Sequence, residues 1–174
     1  MKQIPIICLL LISLNTFPQY SFYQININEG YELLKQKDIN GAIVKFSEAL
    51  NGDSLKVEAY YGLGVAYQYY CQTIGNYCNE SLFFLDKAIS IDDKYRKCYY
   101  NRGCWRVVLQ DYKEAIKDFN LAIVKQPNNP QYYLSRGTSY LKLDMRDKGC
   151  ADIKKAADLN SSAAKILLES QNCK

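Results

Sequence analysis

Histidine is absent from this 174-residue chain. Its absence removes the commonest general base and the commonest metal ligand together. No CxxC pair occurs, so the usual zinc spacing is missing as well, and no metal site is expected. A glycine-rich phosphate loop and a nucleophile elbow are also lacking. The carboxylates Asp111, Glu114 and Asp118 read as solvated helix surface, and Asp92 and Asp93 as the close of a helix and the opening of a turn. No catalytic residue, cofactor or enzymatic activity is expected. Basic charge is never concentrated: 22 Lys and Arg against 18 Asp and Glu leave a formal net charge of only +4, spread along the chain. Tracking phosphates needs a clustered stripe, so nucleic acid is not an expected partner.

What is present is repetition. Between Tyr100 and Pro130, the residues Ala115, Phe119, Ala122 and Ile123 follow the i, i+4, i+7, i+8 spacing of one helix face. Lys113, Glu114, Lys117 and Asp118 supply the wet face, and Pro127 with Asn128-Asn129-Pro130 ends the helix in turn chemistry. Tyr99 to Leu109 reads as a preceding helix, with Gln110-Asp111 as a corner, so the unit is a helical hairpin. Small residues then recur through the chain. Gly30, Gly64, Gly103 and Gly137 are spaced 34, 39 and 34 apart. Ala42, Ser81, Ala115 and Gly149 run 39, 34, 34, and Ala49, Ala88, Ala122 and Ala156 do the same. Three series with one period and one offset fix a five-residue insertion between Gly64 and Ser81.

Small residues at these points let helix backbones approach where they cross. The period of 34, with Tyr99, Gly103, Ala115, Phe119, Ala122 and Pro127 in the third unit, resembles the tetratricopeptide repeat. Tyr133, Gly137, Tyr140, Gly149, Ile153 and Ala156 repeat the pattern in the fourth unit, while the second keeps Tyr60, Leu63, Gly64, Tyr67 and Ala88. The first keeps Gly30, Ala42, Phe46 and Ala49 but lacks the early aromatic. Arg102 and Arg106 depart from the family's Leu and Tyr, and Trp105 stands where a small residue is usual. The resemblance implies an all-α fold, a right-handed superhelical solenoid of about four helix-turn-helix repeats plus a C-terminal capping helix. Repeats are expected at 23–56, 57–95 (with the insertion), 96–129 and 130–163, and the capping helix at 161–174.

The resemblance also implies function: a non-enzymatic scaffold that binds a protein or peptide along the concave face lined by the first helices. Transferring the family's groove positions gives Tyr31, Tyr61, Val65, Tyr69, Lys97, Tyr100, Asn101, Leu134 and Thr138 as candidate partner-binding residues. A clamp for a chaperone's C-terminal carboxylate is not expected, since of its positions only Lys97 fits. The alternative is a binder of a small molecule or cell-wall fragment that uses the tyrosine-lined groove.

Lys2 precedes an apolar run of 11 residues, Ile4 to Leu14, too short to span a bilayer and shaped like a secretory signal. Residues 1–22 are therefore expected to be a signal peptide, and the protein exported to a periplasmic or extracellular space, or membrane-anchored if uncleaved. Six of the seven cysteines then remain: Cys71, Cys78, Cys98, Cys104, Cys150 and Cys173. An even count in an oxidising compartment suggests disulfides. Cys71 and Cys78 bracket the insertion, which makes a staple there attractive. Cys98 and Cys104 cannot pair on one helix, where six residues rise about 9 Å; they are free or paired with the insertion. Cys150 stands ten residues before a turn near Asn160, and Cys173 stands 13 after it. Across an antiparallel hairpin that mismatch is about 4–5 Å, within reach of a bridge. The alternative is two unrelated thiols.

Overall fold

A computed structural model of the chain describes residues 22–51, 56–75, 78–171 and 173. The expected signal segment, 1–22, lies almost wholly outside these residues. Among the described residues every regular element is helical: α1 (Phe22–Lys35), α2 (Ile39–Ala49), α3 (Val57–Thr73), α4 (Glu80–Ile91), α5 (Arg96–Val108), α6 (Tyr112–Lys125), α7 (Pro130–Lys142), α8 (Arg146–Asp158) and α9 (Ser162–Ser170). Each helix packs on the next in chain order, and α1, α3, α5 and α7 also touch in series. The outcome is an all-α stack of antiparallel hairpins, with the first helices forming one wall.

Local chemistry sets the boundaries. Asp38 caps α2 by accepting from the Gly41 amide at 2.9 Å, and Asn129 caps α7 by accepting from Gln131 at 3.0 Å, with Pro130 opening the helix. Ser161 does the same for α9 through the Ala164 amide at 3.2 Å. Left-handed residues turn the corner inside each hairpin: Lys37, Gly75, Gln110 and Asp144 have φ between 59° and 66°. Gly75 follows a longer helix than the others do. α3 has 17 residues where α5 and α7 have 13, so four of the five inserted residues form one extra helical turn.

The small-residue series are the crossings. A methyl added at Gly103 would lie 2.7 Å from Phe119 Cε1, one at Gly64 2.6 Å from Leu85 Cγ, and one at Gly30 2.6 Å from Phe46 Cε1. Phe46 also lies against Gly62 of the next unit, so one ring holds both α1 and α3. Ala42, Ala115, Ala49, Ala88, Ala122 and Ala156 are all buried, as close helix approach demands.

One expectation is corrected. Asp118, assigned to the wet face of α6, is only 1% exposed. Arg102 and Arg106 of α5 reach over α6 and donate to its two carboxylate oxygens at 2.6 and 2.7 Å. The same strap recurs one period later, where Arg136 donates to Asp152 at 2.7 Å. Arg102 and Arg136 also reach back to the preceding hairpin, Arg102 to Asp86 and Arg136 to Asn120. Glu29 and Lys45 occupy the same crossing in the first hairpin, 3.0 Å apart and with the signs reversed.

The structure joins Cys150 to Cys173 with Cα atoms 5.3 Å apart, and Cys71 to Cys78 at 5.8 Å, both within normal bridge reach. Cys98 and Cys104 are free thiols. α9 covers Ile153, Ala156 and Ala157 with Ala164, Leu167 and Leu168, so it caps the apolar end of the stack. No helix among the described residues is long and apolar enough to cross a membrane.

Candidate functional site

The inner wall carries a recess of about 520 Å³. Three first helices build it: α1 brings Tyr31, Leu34 and Lys35, α3 brings Glu58, Tyr61, Val65 and Tyr69, and α5 brings Lys97. Five expected groove residues, Tyr31, Tyr61, Val65, Tyr69 and Lys97, are thus gathered in one place. Their first-helix spacing explains this, because residues three and four apart on adjacent helices present one shared face.

The floor is fixed by polar clasps and rings. Asn101 donates from Nδ2 to the Tyr61 hydroxyl at 2.7 Å, and Gln68 donates from Nε2 to the Asn101 carbonyl at 3.0 Å. Tyr61 meets Tyr95 edge to face at 5.4 Å, and the Lys97 ammonium lies 6.0 Å from the Tyr95 ring centre. Burial, with the Cys98 thiol nearby, pushes the Tyr61 hydroxyl up to about 12. Burial also holds the Tyr31 phenol well above its ordinary value. Its hydroxyl is shielded from water and has no hydrogen-bond partner among the described residues. Tyr69 by contrast is 50% exposed and offers its ring to the recess.

The other four candidates do not line the recess. Tyr100 packs between hairpins, 4.9 Å from the Tyr132 ring and 5.9 Å from Phe119, so it is a packing residue. Asn101 is engaged in the clasp just described. Leu134 joins the apolar cluster under α9, and the Thr138 hydroxyl donates to the Ser135 carbonyl at 2.9 Å. Sequence reasoning did not single out Glu58 and Lys35. Glu58 stands 39 residues before Lys97, the offset of these two repeats, and that correspondence was the signal available.

Trp105 also acquires a reason. It is 1% exposed and its indole Nε1 donates to the Cys78 carbonyl at 3.2 Å, so the bulky residue at a normally small position underpins the inserted loop. Cys71, Cys78 and Glu80 bring possible ligand atoms within 4.8 Å of one another, but the disulfide occupies both sulfurs.

No protein-family model matches the sequence. The TPR repeat-containing protein MJ1428 of Methanocaldococcus jannaschii is 30% identical over 118 residues, which cover 67% of this chain and 20% of that protein. Serine/threonine-protein phosphatase T of Aspergillus oryzae is 28% identical over 83 residues, 37% of this chain and 17% of the phosphatase. The chain therefore spans at most a fifth of these relatives. Among solved structures, MamA aligns with a TM-score of 0.72 at 23% identity, covering 91% of this chain and 86% of MamA. The first TPR of Spaghetti (RPAP3), solved with the HSP90 peptide SRMEEVD, aligns with a TM-score of 0.63 at 20% identity, covering 70% and 93%. The chain has the tetratricopeptide-repeat fold. That architecture presents a concave surface suited to protein–protein interaction.

Proposed function

We propose that this protein is a non-enzymatic scaffold of the cell envelope that binds a peptide or protein segment in its concave groove, anchored at the Tyr31–Lys97 recess. The observation that carries this reading is the convergence of Tyr31, Tyr61, Val65, Tyr69 and Lys97 from three first helices on one recess. Tyrosine supplies wide contact area with few rotors, and the half-exposed Tyr69 ring is open to a bound segment. The RPAP3 domain of the same fold was solved with a peptide, which supports the class of partner. Export is supported by the apolar run Ile4 to Leu14 and by the two disulfide pairs, which persist in oxidising compartments.

A pulldown from envelope extract tests the binding mode, with the wild type compared against Val65→Glu/Tyr69→Ala. A stoichiometric protein held by the wild type and lost from a variant of unchanged helicity is the expected result. The same protein held equally by both would remove the groove from the account. A small molecule seen in native mass spectra of the purified chain would favour the alternative, since the recess volume suits one. A reporter active only after export, fused after Gly30, tests the location.

A further inference from the structure

Beside the main recess lies a second, of about 440 Å³, to which the extra turn of α3 adds a wall residue. Lys37 and Ile39 frame it from the α1–α2 corner, and Tyr69 and Thr73 from α3. Thr73 belongs to the extra turn of α3, so the insertion supplies the outer wall. Leu34, Lys35 and Tyr69 line both recesses, which makes them one trough. The wall is held in place, because a disulfide ties Cys71 in the extra turn to Cys78, and the Trp105 indole donates to the Cys78 carbonyl.

The chemistry of this recess is one-sided. Its residues are apolar surface from Leu34, Ile39 and Tyr69, the hydroxyl of Thr73 and the cations Lys35 and Lys37, and no carboxylate among the described residues lines it. Glu32 does meet Lys35 at 2.9 Å, but that pair is more than half exposed on both sides and holds Lys35 only weakly. Lys37 stands on a left-handed corner, outside the helices that flank it.

We propose that this recess, walled on one side by the extra turn of α3, is a specificity subsite for an apolar side chain adjacent to an acidic one, on the peptide segment bound in the groove. The inference rests on the peptide-binding reading above. Lys35 and Lys37 pair with the acid while Leu34, Ile39 and Tyr69 cover the apolar neighbour, so preference depends on charge and weakens with added salt.

Selection of a random peptide library displayed on phage, against the immobilised full chain with its disulfides intact, tests the subsite. Enriched peptides are expected to carry Asp or Glu beside an aliphatic or aromatic residue. Lys37→Glu, an exposed change that leaves the fold intact, is expected to weaken them about tenfold by reversing one charge contact. Cys71→Ser/Cys78→Ser is expected to weaken them in the same direction. Enriched peptides without acids, or binding indifferent to Lys37→Glu, would overturn the subsite and leave the groove standing. No enrichment at all by a chain of intact helicity would overturn the groove reading and the subsite with it.

Discussion

Asp118 and Asp152 are the residues on which the second half of the stack most depends. A carboxylate removed from water needs several kcal/mol of compensation, which the facing arginines supply through charged hydrogen bonds. Removing one partner strands the other. Asp152→Ala is therefore expected to cost about 3–5 kcal/mol in urea unfolding. The crossing itself does not require charge, because the second hairpin fills it with Leu63 and Phe84, both in the apolar cluster of the first two hairpins. Arg136→Leu/Asp152→Phe, which imports that pair, is expected to unfold at nearly the wild-type midpoint. A double variant as unstable as the single one would show that the ions themselves are needed. This level was the least legible in the sequence. Arg102 and Arg106 stood out only as departures from a pattern, and Asp118 read as surface, because a helix periodicity assigns faces and cannot see an arginine arriving from a neighbouring helix. The recurrence of Arg and Asp 16 residues apart, at 102 and 118 and again at 136 and 152, was the available signal.

Among the helices, the crossings were legible and the reaches across them were not. Glycine and alanine at fixed spacing require close backbones, so the hairpins, their order and the insertion follow from the sequence alone. The recess was legible in part: first-helix positions line it wherever a neighbouring helix leaves space, as at Val65 and Tyr69. Where the next hairpin closes over such a position, as Tyr132 does on Tyr100, the side chain lies outside the recess. Ala122→Phe is expected to cost ~1–3 kcal/mol or more by overpacking, whereas Lys117→Phe on the outer face changes the melting temperature little. Equal effects would contradict the crossing. α9 is the shortest helix among the described residues and is tied by Cys150–Cys173 to α8. Cys173→Ser is expected to lower stability by about 2–4 kcal/mol and to speed amide exchange in α9 before any other helix. Unchanged α9 exchange would show that apolar contact alone holds the cap.

At the scale of the whole molecule, the buried phenols and thiols set an alkaline limit. Burial pushes Tyr61 and Tyr100 up to about 12 from 10.0, and Cys98 up to about 12 and Cys104 up to about 11 from 9.0. The folded chain then holds protons that the unfolded chain releases, so stability is complete below about pH 9 and is lost as pH rises toward 12. Melting temperatures measured from pH 8 upward are expected to fall through that window, and a flat profile would mean that these groups ionise without unfolding. The reversed ion pair of the first hairpin has a different kind of consequence. Setting α6 or α8 against α1 would bring Asp118 or Asp152 onto Glu29, and setting α2 against α5 or α7 would bring Lys45 onto Arg102 or Arg136. Like charges would then meet at a crossing built for attraction. The sign at that crossing works as an address: it disfavours exchange of partners between the first hairpin and the third or fourth, within one chain or between two. The third and fourth hairpins share an address, so a one-unit slip, or a swap between copies, is expected there and not at the first.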